Sequence, residues 1–293
     1  MPHMLDSALG SLGAVSLTAI ITLTAFLYLR GWWQLRSTPL SVSGPRAFSF
    51  LVGLSLIWVA IASRVAALDH ELLTVHMLKH LLLMTVAPPV IWLGDPVRAL
   101  AKGLPQRLVQ RVFAPPFQLL PVHRTGSKIG QLAFCWLAAA AALVVWHIPA
   151  VFTTAMHSSG WHFVEQSSFL ATGLLFWWPV VQPWPSVSRP DLSMILYLFF
   201  ATLPCDILAG FLVFCDRVVY PVYSSPSPLL GVSVLGDQQC AAALMWTCVT
   251  VVYLVAGAVL TMRLLSPQYA YNAELTAKLR GIPQILEAFQ HGD

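Results

Sequence analysis

The residues in this chain best suited to chemistry are histidines and carboxylates spaced to share helix faces. His76 and His80 stand four apart, so on an α-helix they point the same way, one turn from each other. His162 and Glu165 stand three apart, a spacing that recurs where helix bundles hold metals with inward-facing carboxylates and imidazoles. His147 falls within Trp146-His147-Ile148-Pro149, and Asp237 opens an Asp237-Gln238-Gln239 run. Neutral imidazoles supply nitrogen donors and a carboxylate supplies charge to offset a cation, so metal binding is the chemistry these types could perform. Any one of these histidines could equally be an interfacial or hydrogen-bonded structural residue. Five such groups on three helices at similar depth favour a site. No P-loop, nucleophile elbow or pair of catalytic carboxylates appears, and the five cysteines form no C-x-x-C or zinc spacing. An enzyme is not expected.

The elements that must position these groups follow from composition. In 293 residues, 57% are hydrophobic and only 10% charged, against about 25% charge in soluble domains. The chain is therefore expected to be a polytopic membrane protein. Its net charge of +4 gives no reason to expect a nucleic-acid partner. A bilayer core needs about 20 mostly apolar residues per helix, and seven stretches qualify: 8–29, 47–68, 72–93, 130–150, 163–183, 192–214 and 239–262. Connections such as Ser37-Thr38-Pro39 and Ser224–Pro228 separate them. None shows the alternation of a barrel strand. The first stretch lacks a basic leader and a cleavage site, and reads as a retained helix. The expected fold is thus all-α, a seven-helix transmembrane bundle over 1–263 followed by a cytoplasmic tail, 264–293, helical around Ala273–Leu279.

Lys and Arg mark the cytoplasmic side. Arg30, Arg36 and Arg46, the six basic residues from Arg98 to Lys128, Arg189, Arg263, Lys278 and Arg280 all fall on one side, against Arg217 alone on the other. This predicts an outside N-terminus and a cytoplasmic C-terminus. The outer face then carries Asp6, Asp69, Glu71, Glu165, Asp216 and Asp237, a negative mouth able to gather cations. Within the connection 95–129, basic residues alternate with apolar ones, predicting an amphipathic segment on the anionic inner leaflet of the lipid bilayer.

In this frame His76 lies about 6 Å and His80 about 12 Å below the outer end of the third helix, while His147, His162, Glu165 and Asp237 lie near the outer ends of theirs. His70 and His157 fall in neighbouring outer loops. Lys79 flanks the His76/His80 face and is expected to pair with Asp206 of the sixth helix at similar depth. Met84 continues the His76/His80 ladder, and Met245 lies in the outer half of the seventh helix. Thioethers suit Cu(I), so a relay from imidazole to thioether is conceivable, although Met in an apolar helix is ordinarily packing. Cys215 and Cys240, both near the outer face, could be redox-linked.

HMLKHLLLMTVAPPVIWLG (76–94), WHIPAVF (146–152), WHFVEQSSFLATGLLFWWP (161–179) and DQQCAAALMW (237–246) together resemble the CtaG membrane proteins, assembly factors of caa3-type cytochrome c oxidase. The resemblance spans helices three to seven. It implies seven membrane helices in a bacterial inner membrane and a role in maturing a haem-copper oxidase, through delivery or insertion of copper. His76, His80, His147, His162, Glu165 and Asp237 match the family's polar positions and form the implied metal-ligand set. The family commonly has Gln where Lys79 stands and His where Gln166 stands, so this chain replaces one nitrogen ligand by an amide and adds a positive charge beside the site.

The leading expectation is a non-enzymatic assembly factor that holds copper transiently, with cytochrome c oxidase subunits and a copper donor protein as partners. A copper transporter could use the same histidines. A membrane b-type cytochrome with two axial histidines is a third reading, disfavoured for His80 and His147 by an estimated depth difference of about 8 Å.

Overall fold

The computed structural model describes residues 2–38, 41–105, 128–181, 191–223 and 231–266. Among them every regular element is helical. In chain order these are α1 (Pro2–Leu35), α2 (Gly44–Ala62), α3 (Leu73–Leu93), α4 (Pro96–Gly103), α5 (Lys128–His147), α6 (Pro149–Met156), α7 (Ser159–Val181), α8 (Leu192–Phe214) and α9 (Val234–Leu265). Two short 3₁₀ turns, Ala66–His70 and Pro221–Tyr223, fold over one end of the bundle.

Six of these helices, α1, α2, α3, α5, α8 and α9, are long and apolar enough to cross a membrane. Seven were expected. The expected fifth span forms a helix of 23 residues, α7, but His162, Glu165, Gln166, Ser167 and Ser168 crowd its first half and keep it below the apolarity of the others. Large apolar side chains such as Phe26, Phe199, Ile207 and Leu254 are exposed around the perimeter, where a bilayer would cover them.

The most enclosed span is α3. It changes to π-helical winding at Leu82–Val86, immediately before Ala87-Pro88-Pro89. A proline lacks the N–H that its i−4 carbonyl would accept, so Pro88 frees the carbonyl of Met84. Trp177 of α7 fills that role, its Nε1 donating to the Met84 oxygen at 3.2 Å. The same turn packs against Gly173, where a Cβ would crowd Met84 and Pro88, so α7 lies directly against α3. Two further ties hold α3 in place: Trp92 Nε1 donates to the Leu174 carbonyl at 2.8 Å and Ser49 Oγ to the Val90 carbonyl at 2.7 Å. Prolines also set where α5 stops. Ile148 is extended before Pro149, as residues preceding proline prefer, and α6 starts anew in another direction.

At the opposite end, Asp95 adopts the left-handed region at φ 50°, tolerable for Asp more than for most residues. Burial pushes its carboxyl up from the ordinary value, against the pull of Arg98 and Arg46, whose guanidinium nitrogens lie 2.6 and 3.4 Å away. The helix α4 that follows packs on α1, with Gly31 and Gly103 each seated against carbonyls of the other helix. The described part of the expected amphipathic segment is therefore fastened to α1. Its remainder, including Arg107, Arg111 and Arg124, lies outside the described residues, as do Arg189, the Ser224–Pro228 connection and the tail from 267 onward.

Candidate metal site

The site begins where α3 begins. The first N–H groups of a helix have no intrahelical acceptor, and those of Leu73 and Thr74 are taken by Asp237 of α9, at 2.7 and 3.2 Å. The Thr74 hydroxyl adds a third bond to this carboxylate at 2.6 Å. One turn later His76 and His80 enter the interior together, ring centroids 4.3 Å apart. Opposite them α7 brings His162 and, one turn later, Glu165 and Gln166, and the 3₁₀ turn Ala66–His70 brings Asp69.

Glu165 sits between the two α3 histidines. Its Oε1 lies 3.6 Å from His76 Nε2 and 3.5 Å from His80 Nε2, with all three side chains buried. These separations exceed hydrogen-bond length. Both nitrogens of His76, both of His80 and both oxygens of Glu165 have no hydrogen-bond partner among the described residues. Ligand arms of about 2.1 Å at a tetrahedral angle put donor atoms about 3.4 Å apart, so the spacing suits a shared cation better than direct hydrogen bonds. A second possible grouping, Asp69, His76 and His162, joins the first through His76, and in each grouping the candidate ligand atoms lie within 4.8 Å of one another.

Asp69 is the member the sequence did not single out as a ligand. Its Oδ2 meets His162 Nε2 at 3.2 Å and the ammonium of Lys79, and His70 lies 3.8 Å from its other oxygen. Burial works to raise its carboxyl, but the His162 hydrogen bond and the Lys79 charge outweigh it and hold Asp69 well below the usual carboxylate range. The Tyr223 hydroxyl donates to the Asp69 backbone carbonyl, tying the two 3₁₀ turns together. Lys79 therefore pairs with Asp69, not with Asp206 as expected. The reason is the 3₁₀ turn, which folds a loop carboxylate back over the start of α3. Asp206 Oδ1 is buried without a hydrogen-bond partner among the described residues.

The remaining candidates are placed as follows. Gln166, where a histidine was implied as the usual residue, brings its amide nitrogen to 2.9 Å from His162 Nε2. His147 Nδ1 lies 2.7 Å from the Leu143 carbonyl, and Nε2 lies 3.3 Å from the Met77 sulfur. Its ring centroid is 6.0 Å from that of His80, so the estimated depth difference between them does not hold; the two side chains reach toward each other from α5, which ends at the Ile148-Pro149 break, and from α3. Asp237 is brought to the first turn of α3 but stands outside both groupings, occupied by its three donors. Cys215 and Cys240 are both free thiols.

A family model of cytochrome c oxidase caa3 assembly factors (Caa3_CtaG) matches residues 26–266, most of the chain. The chain belongs to the Caa3_CtaG family. It is thus a transmembrane protein of oxidase assembly, as the resemblance implied. No curated protein and no solved structure is significantly similar to it. The Caa3_CtaG match covers α2 to α9 entire, and so takes in every residue of both possible metal groupings.

Proposed function

We propose that this chain is a non-enzymatic assembly factor of a bacterial inner membrane that receives copper on His76, His80 and Glu165 and passes it to a haem-copper oxidase. Asp69 and His162 extend the receiving groups, and Lys79 neutralises part of their negative charge. Seven spans are proposed, α7 being the seventh because its polar half faces protein, with the N-terminus outside and the His/Glu groups toward the outer face. The partners are subunits of the oxidase and a copper donor protein.

The observation that carries this reading is the set of six buried polar atoms on His76, His80 and Glu165 without hydrogen bonds among the described residues. Leaving such a group unpaired costs about 1–3 kcal/mol, and a structural role would have supplied partners. A cation of the size imidazole and carboxylate ligate offsets that cost while bound, and the mixed donor set with Lys79 nearby favours release.

Deleting the gene tests it, with complementation by wild type and by His76→Ala/His80→Ala. Wild type restores assembled, copper-containing oxidase and the double variant does not. Normal oxidase level and copper content in the deletion strain overturn the proposal, as does a defect in whole-cell copper with the oxidase intact, which belongs to a transporter.

A further inference from the structure

Beyond His80, away from Glu165, a cavity of about 40 Å³ opens between α3, α5, α7, α8 and α9. Its lining includes His80, His147, Met77, Met84, Met245 and Cys205. These are soft or borderline donors in a wall otherwise mostly apolar. A cavity of this size admits about three waters or a bare cation and has no room for a haem.

The contact between His147 and Met77 carries the inference. A carbonyl only accepts, so the 2.7 Å approach of His147 Nδ1 to the Leu143 oxygen places the ring proton on Nδ1. Nε2 of the neutral ring then presents a lone pair, and what it faces at 3.3 Å is the Met77 thioether, itself only a weak acceptor. Two lone-pair atoms face each other in a buried place. Arms of about 2.0 Å to nitrogen and about 2.3 Å to sulfur, opened to a tetrahedral angle, separate the donors by about 3.5 Å. The backbone carbonyl that fixes the tautomer is the kind of outer partner that metal-ligating histidines keep.

We infer that His147 and Met77, with Met84 and Met245 on the same cavity, form a second, softer site that takes monovalent copper from the His/Glu groups, with His80 standing between the two. Thioethers select Cu(I) over harder cations. His80 belongs to both places, since it lines the cavity and approaches Glu165. When it serves the cavity, Asp69, His76 and His162 still remain together as the receiving group. The inference rests on copper being the cargo of this chain.

The test is Cu(I) binding to the purified full chain under anaerobic reducing conditions against a chromogenic chelator, with X-ray absorption at the copper edge. Wild type takes about two equivalents, with a sulfur scatterer in the spectrum. The triple variant Met77→Leu/Met84→Leu/Met245→Leu keeps core volume, falls to about one equivalent and loses the sulfur scatterer. His76→Ala/Glu165→Gln keeps the sulfur-ligated equivalent. A wild-type spectrum with nitrogen and oxygen only, or equal stoichiometry in the triple variant, overturns the inference and leaves the proposed function standing. If His76→Ala/Glu165→Gln binds as wild type does while the triple variant loses copper, the receiving site falls and the soft site stands. Wild type that takes no Cu(I) at all overturns both.

Discussion

Two carboxylates near the start of α3 sit barely a turn apart in their attachments and are treated in opposite ways. Asp237 reaches from α9 and accepts from the Leu73 and Thr74 backbones and the Thr74 hydroxyl. Its neighbour Gln238 is equally committed, accepting from the Val219 N–H at 2.7 Å and donating to the Arg217 carbonyl at 3.1 Å. Glu165, reaching from α7 toward His76 and His80, makes no side-chain hydrogen bond among the described residues. Both regions bury polar atoms at the same end of the bundle. Saturation marks a fastening between helices, and its absence marks groups kept for something that comes and goes.

The contrast makes opposite forecasts for stability and binding. Asp237→Ala strands the Leu73 and Thr74 N–H groups, while the Thr74 hydroxyl keeps the Asp237 backbone carbonyl at 3.2 Å, and should cost about 2–6 kcal/mol at about 1–3 kcal/mol per orphaned group. Thermal unfolding in detergent reads this loss, while the protein that remains folded binds copper as wild type does. A variant of unchanged stability would show that the α3–α9 fastening is idle. Glu165→Gln should do the reverse. Copper affinity of the His76/His80/Glu165 site drops about tenfold or more, equivalent to about 1.4 kcal/mol, and the unfolding midpoint stays level or rises because a costly buried carboxylate is gone. Lowered stability with copper retained would erase the distinction between the two regions.

A smaller effect is expected at Lys79, which separates the two kinds of polar group. Its ammonium is bound to Asp69 and stands near the receiving groups, where like charge opposes a cation. Lys79→Gln removes that charge and frees a carboxylate oxygen, so copper affinity should rise about two- to fivefold, on the order of 0.5–1 kcal/mol in a partly screened site. Competition with a chelator of known affinity measures it. Weaker binding would mean that Lys79 holds Asp69 in place for the metal, and the charge argument would fail.

Much of this arrangement is legible from residue types and helical periodicity. His76/His80 and His162/Glu165 share faces because the spacings four and three fit a helix, and α3 and α7 are continuous enough for that rule to work. Legibility ends where the chain leaves long helices. Asp69 belongs to a 3₁₀ turn whose fold-back over α3 has no periodic signal, so its pairing with Lys79 and His162 is invisible along the sequence. His147 fails as a depth estimate for the same reason: Ile148-Pro149 ends α5 and redirects the chain. Asp237 is readable as a carboxylate at the right end, but nothing local says that its oxygens meet the N–H groups of α3. The fifth apolar stretch folds as a helix where expected, yet the polar residues that make α7 interesting chemically also keep it from matching the other spans by composition.

Asp206 is where the comparison is finest, because among the described residues it resembles Glu165 in carrying a buried oxygen without a hydrogen bond while belonging to neither metal grouping. If unpaired burial alone marked a working residue, Asp206→Asn would matter. If convergence with other ligands is also required, it should not. Asn keeps the volume and an accepting oxygen, so stability should change by no more than about 0.5 kcal/mol and copper retention should be unaltered. Lys79 already has Asp69, which leaves no charge for Asp206 to balance there. A several-fold loss of copper or of assembled oxidase in Asp206→Asn would restore a partnership between α8 and α3 that the ion pair at the bundle's end argues against, and would move the boundary between structural and working carboxylates deeper into the membrane.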